Sequence, residues 1–84
     1  MATTNNNNVS NEQTAIFRFE LWINKTKKIE QPRCALTFYG VTDERADAAA
    51  VGMVIGLKEK YQSPRVLVYR VNEDGTETLY REQR

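Results

Sequence analysis

Few side chains in this 84-residue chain could carry covalent or acid–base chemistry. Cys34 is its one thiol, and histidine is absent. The commonest general base and the commonest catalytic metal ligand are thus both missing. Cys34 falls inside an alternating strand pattern, which predicts a buried, inert thiol beside Leu36 and Phe38 and not a nucleophile. The carboxylates Asp43, Glu44 and Asp47 cluster at a helix start. Such a group could hold a hard cation, but capping and complementing the helix dipole explain it without a metal. Gly52 and Gly56 lie mid-helix and lack the lysine and hydroxyl that complete a phosphate-binding loop. No catalytic residue, cofactor or metal site is expected, and the chain reads as non-enzymatic.

Residues suited to binding are better represented. The helical stretch from Ala46 to Leu57 is apolar almost all the way round, and a helix without a polar face must be covered on more than one side. Gly52 and Gly56, four residues apart, share one face, and each costs about 1 kcal/mol of helix stability relative to alanine. With Met53 and the neighbouring alanines they would let a second helix approach closely; the competing explanation is a close fit of the helix onto its own sheet. Trp22, Tyr39, Arg70 and Tyr80 are aromatic and arginine residues of the kind found at the centre of protein interfaces. Period-two counting assigns them, with Val66 and Val68, to the face of the sheet away from the helix. Lys25, Lys27 and Lys28 crowd the first hairpin loop with Arg33 nearby, and could straddle phosphates while the aromatic residues stack on bases. Lysines also protect hairpin tips and sheet edges without any ligand.

The elements that would position these residues follow from periodicity and turn chemistry. Residues 1–13 are polar and Asn-rich and cannot repay the entropy of ordering, so a mobile tail is expected. From Thr14 to about Ile23, Phe17, Phe19, Leu21 and Ile23 alternate with Arg18, Glu20 and Trp22, the period of a half-buried strand. A second strand is expected from about Arg33 to Tyr39, with Cys34, Leu36 and Phe38 on the core side. Thr42 or Asp43 caps a helix that runs to about Tyr61, with Pro64 as its stop. Arg65 to Val71 is a third strand. The run Asn72-Glu73-Asp74-Gly75-Thr76 predicts a turn closed by a glycine bulge, which sets Tyr69 opposite Leu79. That register gathers Leu67, Tyr69, Val71 and Leu79 on one face, taken as the core.

The expected fold is α+β, ββαββ: two antiparallel hairpins separated by one helix packed on one face of the sheet, forming a single domain over residues 14–84. Twelve Lys and Arg against eleven Asp and Glu leave a net charge of +1, which supplies no field to attract nucleic acid or an acidic membrane. No secretory leader or membrane span is apparent, and a lone cysteine forms no internal disulfide, so the cytoplasm is the expected compartment. These features predict a small protein-interaction or regulatory module that binds a protein partner, self-associates as a homodimer, or both. The alternative is a nucleic-acid-binding domain using Lys25, Lys27, Lys28 and Arg33 with the aromatic sheet face.

Overall fold

The computed structural model describes residues 13–23 and 31–84. The expected tail, apart from Gln13, and the Lys25, Lys27 and Lys28 loop lie outside the described residues. Within them the chain runs β1 (Thr14–Trp22), β2 (Cys34–Thr42), α1 (Asp43–Lys58), β3 (Arg65–Val71) and β4 (Glu77–Gln83). The four strands form one antiparallel sheet in the order β2-β1-β3-β4. This is the α+β arrangement expected, with one addition that local patterns cannot supply. Chain β2–α1–β3 crosses over β1, so the two hairpins join through β1 and β3 at the middle of the sheet.

Local chemistry accounts for the element ends. Thr42 caps α1, its hydroxyl accepting from the Arg45 N–H at 3.2 Å, with Asp43 and Glu44 in the first turn and Lys58 in the last. The helix stops at Lys58, three residues short of the expected end, and the Tyr61 N–H closes on the Leu57 carbonyl at 2.8 Å. Between β3 and β4 the Asn72 N–H donates to the Thr76 carbonyl at 2.7 Å and the Gly75 N–H to the Asn72 carbonyl at 3.0 Å. Gly75 sits at φ +90°, the left-handed backbone that this bulged turn requires. Asp74 accepts from the Thr76 N–H and hydroxyl at 3.0 and 2.6 Å, which holds its carboxyl below the usual range.

The expected turn register is observed, with Tyr69 opposite Leu79. Its assignment to faces is corrected. Phe17 and Phe19 are fully buried under α1 against Ala46, Ala50 and Val54, and in the β1–β3 ladder Phe19 lies opposite Val68 and Leu21 opposite Val66. Opposite residues share a face, so Val66 and Val68 are core, both at 0% exposure. Leu67, Tyr69, Val71 and Leu79 consequently line the open face, where Leu79 is 54% exposed. The two phenylalanines of β1 decide the matter, because their burial fixes which side of β3 the helix covers.

Candidate functional site

Three surfaces carry the residues singled out by sequence, and they differ in what remains unsatisfied. On the open face, Arg18 stands over the Tyr69 ring at 4.8 Å and donates to Glu77 at 2.6–3.0 Å and to Glu20 at 2.7 Å. These bonds hold the Arg18 guanidinium charged and lower the Glu77 carboxyl, while burial raises the Tyr69 phenol. Trp22 Nε1 donates to Glu20 at 3.1 Å, and the Arg65 guanidinium covers the Trp22 ring at 5.1 Å while reaching Glu82 at 3.8 Å. Most side chains of this face therefore pair with one another, although among the described residues Arg65 Nε is buried without a hydrogen-bond partner. Individual exposed ion pairs contribute about 0.2–1 kcal/mol, so the network is an ordered, solvated face more than a source of stability.

Arg70 and Tyr80 were expected on that open face; both lie on the helix side. The register shifts between Val68 and Tyr69, so that Tyr80 is an extra residue in β4 and both Tyr80 and Arg81 turn toward α1. The Tyr80 hydroxyl donates to Asp47 Oδ1 at 3.0 Å, and Arg81 Nη1 pairs with the same oxygen at 2.8 Å. Burial, and then the Asp47 bond, push the Tyr80 phenol above its ordinary value. Arg70 lies over the Phe17 and Tyr80 rings at 5.4 and 5.1 Å and reaches Asp43 at 2.6 Å. Asp43 and Asp47, read from sequence as capping groups, thus also tie the first two turns of α1 to β3 and β4. Among the described residues no group of three His, Cys, Asp or Glu could hold a metal ion.

The third surface is where the helix fails to reach. A helix is about 10 Å across with its side chains, whereas four strands at about 4.8 Å spacing make a wider floor. With α1 seated over β1 and β3 and tied to β4, β2 is left at an uncovered margin. Its first seven residues, Cys34 to Gly40, are all exposed. Leu36 and Phe38 face the helix side opposite Phe19 and Phe17, as expected, yet are 40% and 42% exposed instead of buried. Cys34 is likewise exposed, which corrects the expectation of a buried thiol. Phe19, Phe38, Val41, Arg45, Ala49 and Met53 line a shallow groove of about 210 Å³ between the strand and the helix flank. The Phe38 ring makes an edge contact with Phe19 at 5.6 Å, so this margin continues the core outward.

Above the groove, the flank of α1 carries Gly52 and Gly56, both exposed. A Cβ built on either meets nothing within 4 Å. Among the described residues, fit to the chain's own sheet, the competing explanation for these glycines, therefore has no atoms behind it. Ile55, 58% exposed, and Val51 extend the apolar area over the helix crest. Met53 is half-buried at the groove. Tyr39, 75% exposed, lies on the far side of β2 beside a bulge at Gly40, which has φ +69°. Arg33 is exposed at the start of β2.

Reading the sequence missed this site by placing Leu36 and Phe38 in the core. The width comparison was the available signal, since one 16-residue helix cannot cover four strands. Among the described residues no helix is long and apolar enough to cross a membrane. The chain matches no protein-family model, no curated protein and no solved structure.

Proposed function

We propose that this chain is a small non-catalytic interaction module that binds a protein partner through the apolar margin formed by β2 and the adjacent flank of α1. The observation that carries this reading is the exposure of Leu36 and Phe38 on the helix side of β2, with Phe38 beside Ala49 and Met53 and in contact with the buried Phe19. A contiguous apolar area of this kind marks an interaction site in small domains. Its action would be burial of apolar surface along β2 and the groove beside it.

The nucleic-acid alternative has less behind it, because Arg65 already covers Trp22 and Tyr80 is bound to Asp47 on the helix side. The deciding experiment compares Phe38→Asp with Trp22→Ala for binding of the partner recovered with the wild-type chain. Loss in Phe38→Asp and retention in Trp22→Ala is expected. Retention in Phe38→Asp would overturn the assignment.

A further inference from the structure

We infer that the occupant of this margin is a second copy of the chain, joined by antiparallel pairing of β2 with β2 across a twofold axis into a continuous eight-stranded sheet. This rests on the reading of β2 and the α1 flank as a protein-binding surface and adds the partner and the geometry.

The two edges of the sheet are unlike. Both carry a bulge, but β4 also carries Glu77, Arg81 and Glu82, charges that discourage pairing, whereas the bulge in β2 lies at Gly40, beyond its regular stretch. β2 carries no charged residue from Cys34 to Thr42 and no proline. A long, apolar, unguarded edge is a template for another strand. Each copy owns one such edge, so pairing about a twofold axis uses up both and closes the assembly as a dimer, while the charged β4 edges stop further growth.

The regular, exposed part of β2 fixes the register. It runs from Cys34 to the kink at Gly40, and its centre is Thr37. With Thr37 on the axis, Leu36 of each copy lies opposite Phe38 of the other on the helix side, and Ala35 lies opposite Tyr39 on the open side. The exposed Arg33 of each copy is brought toward the acidic start of the other's α1, where Glu44 is exposed. The contact is therefore apolar in the middle and complementary in charge at both ends.

Area and spacing set its strength. At 40%, 42% and 75% exposure, Leu36, Phe38 and Tyr39 offer roughly 300 Å² of side chain, taking about 150–250 Å² for each whole side chain. Adding the strand backbone and the smaller residues brings each partner to at most roughly 600 Å², because the trench leaves part of these side chains open; this is the low end for specific interfaces and suits a weak, micromolar dimer. Strands about 4.8 Å apart place the two helices, each over its own β1 and β3, roughly 19 Å from one another. They flank a trench floored by Leu36 and Phe38 of both copies and do not touch. Gly52 and Gly56 stay outside the seam, which separates this dimer from one built on helix contact.

Sedimentation of the full chain tests the inference alongside two variants. The wild type should be dimeric well above micromolar concentration. Thr37→Glu, whose carboxylate meets its own copy at the axis but sits across from Arg18 within the chain, should be a folded monomer. Cys34→Ser/Thr37→Cys should cross-link to a dimer under mild oxidation, because directly opposed strand residues lie within disulfide reach. The cross-link also decides the matter if Thr37→Glu fails to fold. A dimer that persists in folded Thr37→Glu, or the absence of cross-linking, would overturn the β2 seam. A monomeric wild type would overturn the dimer, and thiol labelling of Cys34 then separates two cases. Rapid labelling leaves the margin open for a different protein, whereas an inert Cys34 means that the chain itself covers β2, and the docking reading falls as well.

Discussion

Replacing Gly52 and Gly56 with alanine should make this protein more stable, because none of the described residues lies where their side chains would be. Both have ordinary helical backbone and open space around the site of a Cβ. An interior helical glycine costs about 1 kcal/mol relative to alanine through backbone entropy. Gly52 should return that amount. Gly56 lies two residues from the helix end, where fraying reduces the gain to about 0.5 kcal/mol. The sum of about 1.5 kcal/mol corresponds to a rise in melting temperature of roughly 6–12 °C for a domain of this size. Thermal and urea denaturation should be done in the Thr37→Glu background, so that subunit dissociation does not enter the measured stability. A fall in stability for either substitution would refute the reasoning, since an added methyl group would then be meeting atoms that the structure does not place there. For the wild-type assembly the same pair of substitutions should leave the dimer intact, whereas association through the helix flank would be weakened by them.

Other consequences can be checked in parallel. Phe19→Ala removes a ring buried under α1 and should cost about 3–5 kcal/mol, against a total of roughly 4–12 kcal/mol for a chain this long; urea denaturation should show it largely unfolded or close to it. Arg18 holds the Glu77 carboxyl below its ordinary value of 4.5, so their contact stabilises the fold fully above that value and is lost as acid lowers the pH through the folded-state value. The stability difference between wild type and Glu77→Gln should therefore shrink toward zero in acid, and a difference independent of pH would contradict the pairing. Neutralising Lys25, Lys27 and Lys28 together should leave self-association unchanged; salt-sensitive oligonucleotide binding by the wild type that this change abolishes would instead favour the nucleic-acid function.

Much of this architecture was legible because it is encoded locally. The alternation of Phe17 and Phe19 with Arg18 and Glu20, the Thr42 cap, and the turn at Gly75 each depend on a few neighbouring residues. What could not be read depends on partners distant in the chain. The core side of β3 is chosen by β1 across the sheet, and without the strand order the larger set of Leu67, Tyr69 and Val71 outweighed Val66 and Val68. Arg70 and Tyr80 follow the same inversion, helped by a bulge in β4 that no turn signal announces. Cys34, Leu36 and Phe38 were given the correct face but the wrong exposure, since alternation reports which way a side chain points and not how far the helix extends above it. That margin holds the candidate site.

Amide exchange along β2, followed as protein concentration is raised through the micromolar range, tests the central claim most directly. In dilute solution the outward amides between Cys34 and Gly40 should exchange freely, and they should slow as the dimer forms, while the outer amides of β4 stay fast at every concentration. Protection that develops on β4 and not on β2, or β2 amides that remain fast once the protein is demonstrably associated, would contradict it.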